Sequence, residues 1–277
     1  MAAKSTNYGN YHNYLGPNHA PGSPPAIHVR DLRLSVITAL GVSFKGRRCL
    51  DVGCNDGSVA TQIGEGTPAQ PANRLYTLPA DTIQAFDFEA SDVVGVDIDP
   101  DLVSKAEDLY SLKASRVRPS SEPSERLVDY YPMSAVLRHG RIPASSEPAS
   151  HWPSVKFVAA DWVVSTDPAL AGPFHVILVL SVIKWIHLEH LDEGLVNFFR
   201  KCSTSLASGG YLILEAQNWD SYQKAVRPNA APHFAKNLER LKYRPETSFT
   251  HLLRDQGLNL CATSDQLRRP ITIYRKA

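Results

Sequence analysis

Two short segments, about forty residues apart, most constrain what this chain can fold into. The first runs Leu50-Asp51-Val52-Gly53-Cys54-Asn55-Asp56-Gly57, and the second runs Val94-Gly95-Val96-Asp97-Ile98-Asp99. The first predicts a buried strand entering a turn in which glycine lets the backbone approach a ligand that a Cβ would exclude. The second predicts another buried strand that ends on a carboxylate. This combination is typical of a nucleotide-binding βαβ unit, whose acid binds ribose hydroxyls.

Asp97 is the candidate ribose ligand in this unit. It could instead cap the following helix, because carboxylates favour helix N-termini. Asp99 is better placed for capping, so we assign Asp97 to the ribose. The motifs also leave open another doubly wound nucleotide binder, or a fold that has lost its activity.

Composition bounds the class of protein. The chain has 277 residues and is 43% hydrophobic, which is enough for one large α/β domain with a sizeable core. Its net charge of +1 means that any nucleic-acid site must come from a local cluster of Lys and Arg. Four cysteines without CxxC spacing argue against a zinc site and a disulfide framework. We also expect no signal peptide, no membrane span, no metal and a reducing compartment.

The order of the predicted elements indicates the architecture. We expect strands at 47–54, 92–99, 155–162, 174–182 and 211–217, with a closing antiparallel pair at 258–263 and 270–275. Helices are expected at 31–41, from about 58, and at 101–113, 188–205, 231–241 and 246–256. Alternating strands and helices predict a doubly wound α/β fold with a mostly parallel sheet. Residues 1–30 form a separate N-terminal segment, and 31–277 form one domain with insertions at about 65–90 and 114–153, the latter mobile.

Ligands of such sheets bind beyond the carboxyl ends of the strands. Asp161-Trp162 would offer a carboxylate to an adenine amine and an aromatic face to its ring; the alternative is a strand-end acid exposed to water. Lys184 follows a fully apolar strand, where its ammonium would bind a phosphate as a point charge. His187 lies three residues on and shares a face with Lys184 if this turn is helical. The alternative is a solvated lysine with Trp185 in the core.

The C-terminal third carries many basic residues with interleaved tyrosines. This pattern suits single-stranded nucleic acid, through phosphate contacts and base stacking. A solvated surface would give the same pattern, so the basic residues alone do not decide the function.

The glycine motif resembles the first motif of S-adenosylmethionine (SAM)-dependent methyltransferases. Further blocks resemble the methylphosphate capping enzymes, the bicoid-interacting-protein-3 family of RNA methyltransferases. These blocks are Tyr8-Gly9-Asn10-Tyr11, Leu180 to Leu188 containing Lys184-Trp185-Ile186-His187, Leu214 to Trp219 with Ser221-Tyr222 and Lys224, and the ending Arg269 to Ala277. The resemblance implies a Rossmann-like class I methyltransferase whose seven-stranded, mostly parallel sheet has an antiparallel last strand.

The resemblance also implies roles for single residues. It implies that Tyr8 covers the cofactor and the 5′ nucleotide and takes part in catalysis with Lys184 and His187. The cofactor pocket would comprise Tyr8, Gly53, Cys54, Asn55, Gly57, Asp97, Ile98, Asp161, Trp162 and Leu180. The RNA would meet Tyr11, Arg33, Lys184, His187, Gln217 and Trp219. The chain lacks the basic residues that family members often carry soon after Tyr-Gly-Asn-Tyr, and Arg30 or Arg33 could replace them.

The function that the resemblance implies is methylation of the 5′ γ-phosphate of small noncoding RNA, such as U6 or 7SK type transcripts of RNA polymerase III. SAM would be the cofactor and S-adenosylhomocysteine (SAH) the product. The protein would be a monomer in the nucleus, with the cytoplasm as a second location and ribonucleoprotein partners left open. Alternatives are a methyltransferase of 5′-monophosphate RNA, one of protein or a small molecule, and a non-catalytic RNA-binding subunit.

Overall fold

A computed structural model of the chain describes residues 31–64, 88–115, 132–140, 154–226 and 233–277. The N-terminal segment 1–30, including Tyr8 and Tyr11, lies outside the described residues. So does most of both predicted insertions.

One seven-stranded sheet organises the described residues. Its strands are β1 (Arg48–Val52), β2 (Asp92–Asp97), β3 (Ser154–Ala159), β4 (Phe174–Leu180), β5 (Leu206–Glu215), β6 (Leu258–Ser264) and β7 (Ile271–Lys276). Their order in the sheet is β3-β2-β1-β4-β5-β7-β6. The pairs from β3 to β5 are parallel, whereas β7 is antiparallel to both of its neighbours. The predicted fold class, with its antiparallel last strand, is therefore confirmed.

Helices cover both faces of the sheet. The side chains of its central strands point alternately into two hydrophobic cores, one on each face. Along β4, Ile177 and Val179 join one cluster, whereas Val176 and Leu178 join the other. Successive side chains of a strand point to opposite faces, so a strand buried on both sides is apolar throughout. The helices are α1 (Leu32–Ala39), α2 (Ser58–Gly64), α3 (Pro100–Ala114), α4 (Met133–His139), α5 (Ile183–Ser205), α6 (Trp219–Ala225), α7 (His233–Leu238) and α8 (Phe249–Asp255).

Helix α4 lies inside the stretch 114–153, for which the sequence predicts a mobile insertion. It is seven residues long and ends at Gly140, whose φ is +85°. With a ψ of 172°, Gly140 has a backbone conformation that is essentially restricted to glycine, so the helix stops before it. A short helix therefore lies between two low-complexity runs, where the sequence does not predict one.

Helix α5 begins five residues earlier than predicted and is interrupted. Leu191 has φ 60° and ψ −171°, a conformation that glycine adopts but other residues rarely do. Asp192 holds this break, since its Oδ2 accepts from the Lys242 N–H at 2.9 Å and its Oδ1 from the Tyr243 N–H at 3.3 Å. No helix among the described residues is long and apolar enough to cross a membrane.

Candidate cofactor and phosphate site

The turn after β1 is fastened to the end of β2. The N–H groups of Gly53 and Cys54 both donate to the Val96 carbonyl, at 2.8 and 3.0 Å. The Asn55 N–H donates to Asp97 Oδ2 at 3.0 Å, and Asn55 itself has a φ of 52°. The structure therefore brings the glycine turn and the strand-end acid together at one edge of the sheet.

The Asp97 carboxylate also accepts the Asp99 N–H, on Oδ1 at 3.0 Å. Burial raises the pKa of Asp97, and the backbone N–H groups of Asp99 and Asn55 oppose that shift. Asp99, not Asp97, caps α3, because its side chain accepts from the Asp101 N–H. Each carboxylate oxygen of Asp97 keeps a second lone pair for a ligand hydroxyl. Ile98, the next residue, is 41% exposed and offers an apolar surface beside that carboxylate.

The structure adds a second reason for glycine at 53 and 57, beyond the ligand approach that the sequence suggests. A Cβ on Gly53 would lie 2.5 Å from Val182 Cγ2, and one on Gly57 would lie 2.6 Å from Ala106 Cβ. Both residues also have a φ of +75°. Protein packing and backbone conformation therefore require glycine at both positions. Cys54, in the same turn, is buried in the core.

Asp161 and Trp162 follow β3 but are already engaged. Asp161 Oδ2 is 2.8 Å from His190 Nε2. Burial raises the pKa of Asp161, but the hydrogen bond and charge of His190 outweigh it, so the pKa lies below its ordinary value. Trp162 packs edge-on against Phe198 in the core, and its Nε1 has no hydrogen-bond partner among the described residues. Little of the Trp162 ring is exposed, so its role against adenine stays a prediction.

Lys184 lies one turn beyond β4, at the same sheet edge as Asp97. Its Nζ donates to the Ser221 hydroxyl at 2.9 Å and the Ser221 carbonyl at 3.3 Å, and lies 4.3 Å from the centre of the Trp185 ring. Burial, followed by the charge of Arg269, lowers the pKa of Lys184 to about 8. Lys184 is thus a largely desolvated cation, not the solvated lysine of the alternative interpretation. Leu180 ends β4 with its side chain in the core.

His187 is fully buried, so its ring does not reach the protein surface. Its Nε2 is 2.9 Å from Asp192 Oδ1, and its Nδ1 is 3.3 Å from the Tyr222 hydroxyl. Burial lowers the pKa of His187 and Asp192 opposes the shift. In this arrangement His187 connects the break in α5 to α6, instead of facing the RNA directly as the sequence suggests.

The other predicted RNA ligands have protein partners. Arg33 is buried and bridges Asp31 at 2.5 Å and Glu215 at 3.1 Å. Gln217 is also buried; its Nε2 donates to the Ser181 carbonyl and its Oε1 accepts the Lys184 N–H at 3.3 Å. Both residues therefore support the ends of β4 and β5 from within.

Trp219 is only partly buried. Its ring stacks on Tyr222, and the Arg244 guanidinium lies 3.7 Å from the ring centre. An RNA base that stacked on Trp219 would have to displace one of these two side chains. In this position Trp219 would contact RNA at the edge of its stack with Tyr222 and Arg244.

Sequence reasoning missed two buried acids, Asp51 and Glu215. Asp51 Oδ2 and Glu215 Oε1 have no hydrogen-bond partner among the described residues. Burial raises the pKa of Asp51 to about 7, and Arg33 opposes the shift. A carboxylate within an otherwise apolar strand was the signal that could have revealed both. Among the described residues, no group of three or more His, Cys, Asp or Glu side chains could hold a metal ion.

Three features fit a SAM site: the strand order, the turn bonded to Asp97, and the hydrogen-bond acceptors at this edge of the sheet. The acceptors match the ribose hydroxyls and the cationic groups of SAM. These features define a Rossmann-like class I SAM-dependent methyltransferase. Residues 174–276 match the family model for Bicoid-interacting protein 3. Over these residues, the match confirms the family resemblance that the sequence blocks indicate.

Curated relatives are similar over nearly the whole chain. The U6 snRNA methylphosphate capping enzyme Amus of Drosophila melanogaster is 28% identical over 281 residues, which cover 98% of this chain and 75% of the relative. The human 7SK snRNA methylphosphate capping enzyme is 30% identical over 302 residues, covering 98% of this chain but 39% of the relative. The chain thus spans well under half of the human relative.

Two further comparisons are more limited. The RNA 5′-monophosphate methyltransferase of Rattus norvegicus is 44% identical over 54 residues, 20% of this chain and 18% of the relative. Among solved structures, an O-methyltransferase family protein from Burkholderia thailandensis gives a TM-score of 0.47 at 13% identity, over 89% of this chain and 55% of that one.

Proposed function

We propose that this chain is a SAM-dependent RNA methyltransferase that methylates the γ-phosphate of small noncoding RNA with a 5′ triphosphate. The observation that carries the proposal is Lys184, a buried cation at the same sheet edge as Asp97, whose Nζ contacts only Ser221 and the Trp185 ring among the described residues. Such a cation suits an anionic acceptor. Relatives that cap U6 and 7SK RNA support this acceptor and its RNA class.

Cofactor binding rests on the carboxyl ends of β1 and β2. Asp97 would accept hydrogen bonds from the ribose hydroxyls, and Ile98 would pack against the adenine. The rest of the cofactor would be surrounded by Gly53, Cys54, Asn55, Gly57, Asp161, Trp162, Leu180 and Tyr8. Asp51 is a further candidate, because its unpartnered oxygen is an acceptor for a cationic group. When bound, SAM supplies a methyl group on a sulfonium, and SAH is the product.

The acceptor needs no general base, because a phosphate oxygen is already anionic at neutral pH. What the protein must supply is position, and holding reactants in line can contribute ~7–11 kcal/mol. Lys184 would hold the phosphates by placement of charge rather than by proton transfer. His187 would act through Asp192 and Tyr222, as a positioning residue behind Lys184. Tyr8 and Tyr11 would cover the reacting groups and the 5′ nucleotide.

The decisive experiment offers one RNA with a 5′ triphosphate, monophosphate or hydroxyl and follows transfer of a labelled methyl group from SAM. We expect transfer to the triphosphate, none to the hydroxyl, and none to triphosphate RNA that has been treated with phosphatase beforehand. The Asp97→Ala variant serves as the control for cofactor dependence. Equal transfer to the hydroxyl RNA would mean that the acceptor is a base or ribose and that the proposal is wrong.

The monophosphate arm tests a second candidate function, which the 54-residue similarity to an RNA 5′-monophosphate methyltransferase favours. Transfer to protein or a small molecule, or SAM binding without any transfer, would support the remaining alternatives. We further propose that the protein acts as a monomer on nuclear RNA, with ribonucleoprotein partners. Sedimentation and cell fractionation test those statements separately.

A further inference from the structure

Arg269 brings a second cation to the sheet edge where Lys184 lies. It belongs to the loop between β6 and β7, just before Ile271 starts β7. Because β7 is antiparallel to β5, this loop lies at the carboxyl end of β5, next to that of β4. There the Arg269 Nη1 atom donates to Ser181 Oγ at 2.6 Å, immediately after β4.

Two acids nearby pair with another cation, although Glu215 Oε1 has no hydrogen-bond partner among the described residues. Glu215 Oε2 accepts from Arg33 Nη1 and from the Ser181 hydroxyl, and Asp31 is also paired with Arg33. In the described part of the chain, Arg269, like Lys184, forms no ion pair with a carboxylate. Two like charges thus share one edge of the sheet without their own counter-ions.

The Arg269 guanidinium lies close enough to Lys184 to affect the ionisation of the lysine. After burial, the charge of Arg269 is what lowers the pKa of Lys184. Like charges held near each other disfavour the charged form of the lysine. A bound anion would reverse this effect, because an opposite charge between them favours the charged form of the lysine.

We propose that Arg269 and Lys184 form a two-cation clamp for the 5′ phosphate chain, with Arg269 holding a phosphate other than the one held by Lys184. This inference rests on the proposed function and deepens it, because it makes Arg269 a determinant of triphosphate over monophosphate RNA. The planar guanidinium can bind a phosphate through two parallel hydrogen bonds, whereas the lysine acts as a point charge. The bond from Nη1 to Ser181 fixes the direction in which the rest of the guanidinium points.

The chain provides a matched control in Arg268, the exposed neighbour of Arg269. We expect Arg269→Ala to lower the ratio of kcat/KM for triphosphate RNA to that for monophosphate RNA at least tenfold. Arg268→Ala should leave that ratio unchanged. Arg269→Lys keeps the charge but loses the fork, so it should restore the ratio in part. SAH affinity and Tm, measured on all three variants, separate this effect from a general loss of structure.

Direct anion binding makes the inference independent of catalysis. Calorimetric titration of SAH-loaded protein with inorganic tripolyphosphate should give at least tenfold weaker binding for Arg269→Ala than for Arg268→Ala. Equal binding by both variants would overturn the two-cation clamp, whichever RNA the protein methylates. If Arg269→Ala loses tripolyphosphate but the wild type does not methylate triphosphate RNA, the clamp stands and the proposed function fails.

Discussion

Asp51 is a buried acid near the carboxyl end of β1, 2% exposed, and one of its oxygens has no partner among the described residues. Its folded-state pKa of about 7 lies above its ordinary value of 3.8. Asp51 therefore favours folding most at low pH, and this contribution is lost as the pH rises from about 4 to 7. Asp51→Asn should accordingly raise the free energy of unfolding at pH 8, by roughly 1–3 kcal/mol, because it removes a buried charge.

Urea unfolding of the cofactor-free protein at pH 8 and pH 5 measures this effect. The gain should shrink at pH 5, where the wild-type carboxyl is already protonated. Asp265→Asn, at an exposed position of the β6–β7 loop, is the control and should change little at either pH. A gain of equal size at both pH values would contradict the charge argument. We also expect Asp51→Asn to weaken SAM binding, since a cationic group would lose its acceptor.

Lys184 should impose an alkaline limit on RNA binding. Its pKa in the free protein is about 8, and only the ammonium binds phosphate. RNA affinity should therefore fall as the pH rises through about 8, while SAH affinity stays level. Lys184→Arg carries a charge that persists well above this pH, so the decline near pH 8 should disappear from its profile.

Fluorescence titrations with triphosphate RNA give this profile. They are repeated at pH values from about 6.5 to 9.5, in steps of about half a pH unit, which span the pKa of Lys184. Lys224→Arg, on the exposed face of α6, is the matched control and should keep the decline. The same decline in Lys184→Arg would assign the titration to another group.

The sequence predicted the position of the site better than the state of its side chains. Asp97 and Lys184 could be located because each follows a recognisable apolar strand. The burial of His187 and Gln217 could not be inferred, because their partners, Asp192, Tyr222 and Ser181, are distant in sequence or unremarkable in pattern. In the sequence, Arg269 is one of several basic residues and cannot be distinguished from Arg268. Only the antiparallel placement of β7 shows that Arg269 lies at the site.

At the scale of single elements, the start of α2 depends on Gly57. Its φ is +75°, and an added Cβ would overlap Ala106 and Phe157. Gly57→Ala should reduce the free energy of unfolding by more than the roughly 1–2 kcal/mol that a left-handed backbone costs other residues. Gly41→Ala is the matched control, since Gly41 has a φ of +92° but open space around it.

Chemical denaturation of the two variants separates backbone conformation from packing. Gly41→Ala should show the conformational loss alone. Equal losses in both variants would mean that α2 shifts to accommodate the methyl group. In that case SAM affinity should still fall for Gly57→Ala only, because the turn after β1 moves with α2.

Strand boundaries were predicted well where apolar runs end abruptly, and poorly at β5. The sequence predicts this strand at 211–217, but β5 begins at Leu206 and includes Ser208-Gly209-Gly210. Phe174 pairs with Leu206 and Val176 with Tyr211, so the intervening residues form a bulge. Gly209 supplies the positive φ of that bulge. Turn residues inside a bulged strand look the same, in sequence, as those that end a helix.

At the scale of the whole molecule, the tyrosine-rich segment 1–20 should serve the site rather than the core. The described residues already form a continuous core on both faces of the sheet without it. Deleting residues 1–20 should therefore abolish methyl transfer, while the Tm of the cofactor-free protein changes little. Tyr8→Ala should reproduce most of the loss, and Tyr14→Ala is the control. Retained activity after the deletion would show that the segment is only a tail.

The position of β7 has a consequence for biosynthesis. The last strand in chain order lies between β5 and β6, so a nascent chain that ends before residue 258 exposes β5 as an open edge. Such edges are templates for pairing with other chains. Arg269 also reaches Ser181 only after this late insertion. A nascent chain would therefore acquire the protected edge of β5 and its second phosphate-facing cation together, once β7 has been added.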